Sequence, residues 1–378
     1  MKFLHISDLH IGKRVHEISM LEDQKYILTQ ILAAVEQERP DGVLIAGDVY
    51  DKSVPSAEAV QLFDDFLVKL AAQNTQTFII SGNHDSPERM AFAARLIAPC
   101  GIHIAPVYNG EVQPITLFDD HGAVHLYMLP FVKPAHVRKF YTEAKIETYT
   151  DAMRTAIGAM GVNVAERNVL ITHQFVTGAE RSESEETSVG GADNVDASVF
   201  DAFDYVALGH IHGPQNCGAH IRYCGTPLKY SFSEAKHKKS ITVVELGAKG
   251  ECSLRELPLV PMRDMHEITG DYAQIMQKSY YENTSYTSDY MRITLTDEED
   301  VPDAMVKLRT VYKNLMCIRY DNARTRQNVQ ITGAKDVENK SPIQLFSDFY
   351  KEQNNTELSA EQTELVQTLM ERVWGEEL

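Results

Sequence analysis

The sequence lacks long apolar runs and closely spaced cysteines. No apolar stretch approaches the ~20 residues that a membrane-spanning helix needs. Met1 leads almost directly into Phe3–Ile6, without the basic start followed by a long apolar stretch that is typical of a signal peptide. The cysteines, which form neither a close ligand pair nor an even disulfide set, are Cys100, Cys217, Cys224, Cys252 and Cys317. These absences predict a cytoplasmic protein with reduced thiols and no membrane contact.

Positive charge is also scarce. The chain has 36 Lys and Arg against 54 Asp and Glu, a formal net charge of −18, which argues against nonspecific nucleic-acid affinity from the overall field. The charge is unevenly spread, however. Residues 305–335 carry seven basic residues and one acidic residue, net +6, and residues 341–378 carry two basic and eight acidic residues, net −6. Adjacent segments of opposite sign predict different partners or faces.

Apolar runs of strand length alternate with helical patterns over the first part of the chain, which predicts a layered α/β domain. The principal runs are Phe3–Ile6, Val43–Ala46, Thr77–Ser81, Val169–His173 and Tyr205–Leu208. Helical patterns cover Leu21–Arg39, Ser56–Leu70, Arg89–Ile97 and Tyr149–Met160. We expect three further runs to form strands of a second sheet, namely Ile102–Ala105, Ile115–Phe118 and Val124–Leu129.

Each principal run ends in, or is closely followed by, side chains of the types that bind metal ions. These are Asp8, His10, Asp48, Asn83, His173, His210 and His212. In an extended strand the i, i+2 pairs Asp8/His10 and His210/His212 would share a face, and sites gather at the carboxyl ends of such strands. Oxygen and imidazole ligands without thiolate favour Mn²⁺, Fe²⁺ or Zn²⁺. Seven ligands exceed one four-ligand site, so a bridging Asp48 would give four protein ligands to each of two ions, the arrangement that serves phosphoryl displacement.

Three further polar residues lie in the same loops. His84 follows Asn83 but is surplus to the ligand count, which makes it the natural general acid for the leaving oxygen. Asp51 and Asp85 are predicted to orient an imidazole or a loop from behind the ligands. Turn and cap roles explain these two carboxylates equally well.

The pattern changes after Pro258. The segment 1–258 reads as one domain, and strand and helix patterns restart at Met265, which predicts a small α+β domain over 262–336. Helices follow over 341–378, where Ser341-Pro342 starts one helix and Ser359 with Gln362 forms a capping box for another. The Gly-, Ser- and Glu-rich stretch from 178 to 194 is a solvated linker or a lid.

The combined motifs Asp8–His10, Gly47–Asp51, Gly82–Asp85, His173 and Gly209–His212 resemble the full motif set of the calcineurin-like metallophosphoesterases. Two more stretches narrow the resemblance to the nuclease subunits of bacterial SbcC–SbcD complexes. They are His173–Gly178 leading to Val189–Gly191, and Gly225–Pro227 leading to Ser231–Glu234. Thr226 departs slightly from the family, which commonly has Ser there.

The resemblance implies a layered α-β-β-α nuclease domain with a DNA-contacting capping domain, acting as a Mn²⁺-dependent exonuclease and endonuclease in DNA repair and recombination. One of two Mn²⁺ ions (or Mg²⁺ or another divalent ion) would take Asp8, His10, Asp48 and His212, and the other Asp48, Asn83, His173 and His210. His84 would be the catalytic histidine. The partners implied are DNA, an SbcC-type coiled-coil ATPase bound by the C-terminal helices, and a second copy packed through Ser56–Leu70 and Arg89–Ile97, giving a homodimer and a heterotetramer.

The basic stretch adds DNA contacts to these expectations, chiefly at Arg319, Arg324 and Arg326. A solvated helix face is the alternative interpretation of the same residues. A phosphodiesterase or phosphatase for small molecules or phosphoproteins is the alternative, because the metal set is shared. Such an enzyme has no obvious need for a basic second domain and an acidic helical tail. A scaffold with a decayed site is a third reading, which the presence of all seven ligands and His84 argues against.

Overall fold

The computed structural model describes residues 1–185, 193–322, 325, 342–354 and 357–374. It has two compact units, Met1–Leu295 with Val301–Arg319, and Thr296–Asp300 with Tyr320–Leu378. Within the described ranges, every helix is too short or too polar to span a bilayer.

The strands follow one another along the chain with the following bounds. They are β1 Lys2–Ile6, β2 Arg14–Val15, β3 Ile18–Ser19, β4 Gly42–Ala46, β5 Gln76–Ile80, β6 Ile102–Ile104, β7 Ile115–Asp119, β8 Gly122–Leu129, β9 Arg167–His173, β10 Phe175–Val176, β11 Asn194–Val195, β12 Tyr205–Gly209, β13 Gln215–Asn216, β14 Ile221–Tyr223, β15 Ser240–Leu246, β16 Cys252–Pro258, β17 Met265–Gly270, β18 Tyr290–Leu295 and β19 Asn314–Tyr320. The helices are α1 Leu21–Glu38, α2 Ala57–Ala72, α3 Pro87–Met90, α4 Ala94–Ile97, α5 Pro134–Arg138, α6 Tyr149–Gly158, α7 Tyr272–Ile275, α8 Lys278–Tyr281, α9 Ala304–Arg309, α10 Pro342–Asn354 and α11 Ala360–Trp374.

The first large sheet has the order β16-β15-β1-β4-β5-β6. Strands β1, β4, β5 and β6 run parallel to one another. Strand β15 pairs antiparallel with β1, and β16 pairs antiparallel with β15. The assignment of Ile102–Ala105 to a second sheet was wrong, because β6 pairs with β5 here. The helical connection through α3 and α4 returns the chain beside the strand it left, as parallel crossovers do, and apolar character alone does not disclose a strand's partner.

The second large sheet has the order β13-β14-β12-β9-β8-β7, and buried side chains of both large sheets pack in one shared core. The core between the sheets is apolar and fully buried, with Phe3, Leu44 and Phe78 from one sheet against Val169 and Ala207 from the other. Helices α1 and α2 cover the outer face of the first sheet, and α6 covers the outer face of the second. These layers form the predicted α-β-β-α fold.

A small sheet of β17, β18 and β19 extends the first compact unit. Its side chains Met265, Tyr290 and Met316 join the core beside α1. Asp23 of α1, a buried carboxylate, accepts hydrogen bonds from Tyr290 (2.6 Å) and Arg263 (2.8 Å). A hydrogen-bonded charge pair therefore fixes this sheet to α1.

Two predicted helices are each divided in the structure. The helix predicted near Tyr272–Tyr281 separates into α7 and α8, because Gln277 has extended backbone angles. The helix around Arg89–Ile97 separates into α3 and α4, because Ala93 has a left-handed φ of 60°. Helical spacing survives such breaks, so the sequence pattern does not reveal them.

The described part of the second unit contains α10 and α11. The predicted capping box is present: Gln362 N donates to Ser359 Oγ at 3.2 Å, and Ser359 N donates to Gln362 Oε1 at 2.9 Å. Phe349, Leu365 and Leu369 are more than half exposed, at 58%, 59% and 51%. Ser341, the predicted start of α10, lies outside the described residues.

Candidate active site

The predicted ligands lie at or just beyond the carboxyl ends of β1, β4 and β5 of the first large sheet and of β9 and β12 of the second. The loops after β1 and β4 are bonded together, since Asp8 N donates to Gly47 O and His10 N donates to Asp48 O. Crossing loops of this kind bring residues that are distant in sequence to one point.

The ligand pairs do not lie in extended strands, so the prediction that i, i+2 strand spacing aligns them was wrong. β1 ends at Ile6 and β12 ends at Gly209, so the pairs lie in loops. Asp8, His10, Asp48 and His210 all have positive φ, between 44° and 104°. Non-glycine residues rarely adopt this conformation, and it concentrates at functional sites. The side chains converge because the loops bend.

One donor cluster contains Asp8, His10 and His212. The Nε2 atoms of His10 and His212 lie 3.2 Å apart, and Asp8, which is fully buried, has a carboxylate oxygen near both rings. The Ser7 hydroxyl donates to Asp8. Burial raises the pKa of Asp8 to about 6, because a carboxylate away from water needs a compensating positive charge.

A second donor cluster contains Asn83, His173 and His210. Asn83 Oδ1 lies 2.9 Å from His173 Nε2 and 2.9 Å from His210 Nδ1. His173 Nδ1 lies 2.8 Å from Ala46 O, and a carbonyl can only accept, so Nδ1 carries the hydrogen. Burial, followed by the charge of His173, lowers the pKa of His210 to about 3.

Asp48 lies between the two clusters. Its Oδ2 is 3.4 Å from His173 Nε2 and 3.8 Å from His10 Nε2. Burial acts to raise the pKa of Asp48, but His173 outweighs it and holds that pKa below its usual range. Burial likewise acts to lower the pKa of His173, which the Asp48 charge raises to about 9. The centre of the site therefore favours positive charge next to Asp48.

The donor atoms fit divalent metal ions. In its neutral form, His173 presents a bare Nε2 to Asp48 and Asn83 oxygens, and a cation between these atoms removes the repulsion of their lone pairs. The groups of titratable residues whose ligand atoms lie within 4.8 Å of one another are Asp8/His10/His212, His10/Asp48/His84 and Asp8/Asp48/His173. Asn83 and His210 extend the last group through the contacts above. The structure thus brings all seven predicted ligands together.

His84 lies at the open side of this set, with its side chain 22% exposed. Its Nδ1 is 3.0 Å from Asp51 O, so Nδ1 carries a hydrogen, and its Nε2 is 3.9 Å from Asp48 Oδ2. The backbone N of His84 donates to Asp48 Oδ1 at 2.9 Å. A backbone carbonyl therefore orients the His84 ring. The ring also lies close enough to Asp48 to belong to one group of possible metal ligands.

Asp85 and Asp51 have different surroundings. The Asp85 carboxylate accepts from the backbone N of Val49, Tyr50 and Gly82, at 3.1, 2.9 and 2.9 Å. It joins the loops after β4 and β5 and contacts no imidazole in the described hydrogen bonds. Asp51 accepts from Lys13 Nζ at 2.7 Å and lies 3.8 Å from His10 Nδ1.

Four side chains behind His212 were not among the predicted site residues, although two of them belong to the predicted linker or lid. Ser184, Glu185, Glu234 and Lys239 form this group, named here the support cluster. Glu234 ends a stretch that was noted only as part of the family resemblance. Glu234 is fully buried, and a buried carboxylate is uncommon unless it is paired.

The predicted lid and DNA contacts are only partly described. Residues 186–192 of the lid stretch lie outside the described residues, while Ser184 and Glu185 contact His212. Arg319 is exposed on β19. Arg324 and Arg326 lie outside the described residues.

Comparison with known proteins identifies relatives that match 98% of the chain. Residues 1–214 match the family model of the calcineurin-like phosphoesterases, and residues 261–354 match that of the Type 5 capsule protein repressor C-terminal domain. The SbcD subunit of the SbcCD nuclease from Staphylococcus epidermidis is 32% identical over 378 residues, and that from Staphylococcus saprophyticus is 30% identical over 380 residues; each alignment covers 98% of both chains. A solved dimetal phosphatase from Danio rerio aligns with 69% of this chain and 96% of its own, at 11% identity and a TM-score of 0.43.

The layered fold and the convergent oxygen and imidazole donors define a metallophosphoesterase, an enzyme that uses divalent metal ions. The alignments over nearly the full length of the curated relatives narrow this class further. The chain belongs to the SbcD family, the nuclease subunits of SbcCD. The family resemblance drawn from the motifs is confirmed.

Proposed function

We propose that the chain is a Mn²⁺-dependent DNA nuclease, an exonuclease on double-stranded ends and an endonuclease on hairpin or single-stranded DNA, active in end processing, repair and recombination. The observation that carries the proposal is the position of Asp48, 3.8 Å from His10 of one donor cluster and 3.4 Å from His173 of the other. A carboxylate between two such clusters is suited to bridge two ions, the arrangement used in phosphodiester hydrolysis.

The donor sets of the two ions would share this carboxylate. One ion would be held by Asp8, His10, Asp48 and His212, and the other by Asp48, Asn83, His173 and His210. Two divalent ions supply an activated water nucleophile and offset the negative charge that develops on phosphate oxygens. Carboxylate, amide and imidazole donors suit Mn²⁺, with Mg²⁺ or another divalent ion as a substitute.

His84 is the proposed general acid. The backbone carbonyl of Asp51 accepts a hydrogen bond from His84 Nδ1, with 3.0 Å between nitrogen and oxygen. Nε2 is therefore the ring nitrogen that would carry a proton toward the leaving oxygen. Asp85 keeps the loops of Asp48 and Asn83 together through its three backbone hydrogen bonds. The positions of both side chains are therefore fixed by hydrogen bonds to the backbone of these loops.

DNA is the proposed substrate. The relatives' name describes nucleases, and the basic stretch within residues 305–335 supplies phosphate-binding charge, which Arg319 presents on the surface. We propose 1–258 as the nuclease domain and 262–336 as a DNA-contacting capping domain. Lys13, Arg14 and Arg89 are nearer the metal loops in sequence and form the alternative contact surface.

Two protein partners are proposed. The relatives are named as subunits of SbcCD, and 341–378 would bind a coiled-coil ATPase of the SbcC type through the exposed Leu365 and Leu369. A second copy would pack on the exposed apolar residues of α2 and α4, where Val68 is 61% and Leu96 80% exposed. A homodimer carrying ATPase subunits would be a heterotetramer.

The test is digestion of end-labelled linear duplex and hairpin DNA in Mn²⁺, Mg²⁺ or EDTA, with and without the ATPase subunit. We expect Mn²⁺-dependent shortening of the duplex and opening of the hairpin, both strengthened by the ATPase. A small phosphodiester and a phosphopeptide serve as comparison substrates. Hydrolysis of either of these without any cleavage of DNA would contradict the proposal.

A further inference from the structure

We propose that Glu234 is a positioning residue, which acts with Ser184 and Lys239 to fix the tautomer and the ring orientation of His212. The inference rests on the proposed metal-dependent nuclease function, because His212 is one of its proposed ligands. Glu234 itself is not a proposed metal ligand; it acts through the imidazole of His212.

The carboxylate of Glu234 reaches His212 in two ways. Its Oε1 lies 3.3 Å from His212 Nδ1. The same Oε1 accepts from Ser184 Oγ at 2.5 Å, and Ser184 Oγ lies 2.7 Å from His212 Nδ1. The Nδ1 atom therefore faces a carboxylate both directly and through a hydroxyl, a setting that stabilises a hydrogen on Nδ1.

Metal binding at the opposite edge of the ring would require that tautomer. His212 Nε2 faces His10 Nε2 at 3.2 Å, inside the first donor cluster. A hydrogen on His212 Nε2 would point at this neighbour and block the lone pair that a metal needs. With the hydrogen on Nδ1, the Nε2 lone pair of His212 is free to point at an ion.

Lys239 holds the carboxylate and the main chain of His212 at the same time. Its Nζ donates to Glu234 Oε2 at 2.5 Å, to Thr226 Oγ1 at 2.6 Å and to His212 O at 2.9 Å. Glu185 completes the enclosure by accepting from His212 N at 2.7 Å. Both the ring and the backbone of His212 are thereby fixed by groups outside the donor cluster.

Burial argues that this arrangement does more than stabilise the fold. The Glu234 side chain is 0% exposed and that of Lys239 is 3% exposed. Desolvation offsets much of the attraction within a buried pair, and well-packed apolar residues often serve stability as well. An apolar pair could not hold an Nδ1 hydrogen. A metal-binding histidine needs a hydrogen-bond acceptor at the ring nitrogen that does not bind the metal. The Glu234 carboxylate, held by Lys239, supplies that acceptor.

The experiment measures Mn²⁺ binding to the full-length protein, by calorimetry and by electron paramagnetic resonance of free Mn²⁺. Glu234→Gln keeps the shape but can turn an amide N–H toward Nδ1, which favours the wrong tautomer. We expect one of the two ions to bind about 10- to 100-fold more weakly, and the other to be unchanged. Ser184→Ala should give a smaller loss at the same ion, because the direct 3.3 Å contact remains.

Asp119→Asn is the matched control. It removes a carboxylate from the ion pair with buried Arg167, at the start of β9 and away from His173 at the end of that strand. We expect lower thermal stability and unchanged Mn²⁺ affinity. A second readout is ¹⁵N NMR of the imidazoles in metal-free protein, where no bound ion imposes the tautomer: His212 should carry its hydrogen on Nδ1 in the wild type and lose this preference in Glu234→Gln.

The outcomes separate this inference from the proposed function. Two Mn²⁺ ions in the wild type with unchanged affinity in Glu234→Gln would make the pair purely structural and overturn the inference alone. A wild type that binds no Mn²⁺ would overturn both. If Glu234→Gln does not fold, Ser184→Ala decides: weaker binding of one ion supports the inference, and unchanged binding overturns it.

Discussion

His173 and His212 contribute to different donor clusters, and the protein orients them by different means. Ala46 O, a backbone atom at the end of β4, holds His173 Nδ1 at 2.8 Å. Ser184 Oγ and Glu234 Oε1, both side-chain atoms, hold His212 Nδ1. A backbone contact withstands every substitution that leaves the strand in place. A side-chain contact can be removed by a single mutation, so the two clusters are expected to fail in different ways.

Asp48→Ala should have the largest effect on metal binding, because Asp48 is the one ligand that both clusters are proposed to share. We expect the purified variant to lose both ions and all cleavage, whereas His173→Ala and His212→Ala each weaken one ion. Metal analysis after dialysis measures the occupancy. Loss of one ion, with the other held at normal affinity, would show that Asp48 does not bridge.

Gly209→Ala should disrupt the backbone-oriented cluster selectively. A Cβ at Gly209 would overlap Ala46 O and lie 2.7 Å from His173 Nδ1, so the contact that orients His173 must move. We expect weaker binding of the ion at His173 and His210, near-normal binding at His10 and His212, and a loss of stability of about 1–3 kcal/mol.

The matched control is Gly158→Ala, because a Cβ there meets nothing within 4 Å. Calorimetric Mn²⁺ titration and thermal unfolding compare the two variants, and Gly158→Ala should leave both results close to the wild type. Equal weakening of both ions in Gly209→Ala would mean that the clusters are not oriented independently.

His84→Ala should leave both clusters loaded and abolish cleavage, because it removes the proposed acid and no proposed ligand. His84 also lies in one group of possible ligands with His10 and Asp48, so metal content is the deciding measurement. Two bound ions and no DNA cleavage are expected. A missing metal equivalent would make His84 a ligand.

Much of the site follows from the sequence, because every ligand lies at the end of an apolar run or within a few residues after it, and parallel strands bring such positions to one edge. The support cluster could not be predicted from the sequence. Ser184 and Glu234 lie 28 and 22 residues from His212 in the chain, and nothing in their spacing indicates contact. The positive φ angles of Asp8, His10, Asp48 and His210 are equally hidden, since they result from crossing loops and not from local preference.

The layers of the fold could be predicted, but the pairing partner of a strand and the breaks within helices could not. Apolar runs predict that strands such as β6 exist, but the side on which the connection returns decides which sheet it joins. Helical periodicity continues across Ala93, although its φ of 60° ends the helix. Backbone geometry at single residues therefore limits what a pattern can predict.

Replacing Arg319, Arg324 and Arg326 with Gln should leave both donor clusters unchanged and weaken DNA binding. Fewer phosphate contacts release fewer counterions, so the dependence of affinity on salt should become shallower. Titration of labelled duplex at several salt concentrations gives this slope. The same slope in both proteins would place the contact surface elsewhere, with Lys13, Arg14 and Arg89 as the next residues to replace.

Deletion of residues 341–378 should have the smallest effect on the metal site. Neither donor cluster takes a proposed ligand from this segment, so we expect a metal-loaded protein that still degrades DNA weakly in Mn²⁺. Leu365 and Leu369 of α11 expose 59% and 51% of their surface, and Glu361 and Glu364 place acidic charge on the same helix. An apolar stripe with acidic neighbours suits a basic coiled-coil partner, so the truncated protein should no longer co-purify with the ATPase subunit.

A full-length variant separates partner binding from folding in this last prediction. Leu365→Glu with Leu369→Glu should retain the metal content and thermal midpoint of the wild type, because both side chains are already exposed. It should lose the ATPase as the truncation does, since charge replaces the apolar anchors that a partner groove would cover. If either variant aggregates or loses metal, the helices are part of the enzyme's own core. If both retain the ATPase, the partner binds another surface.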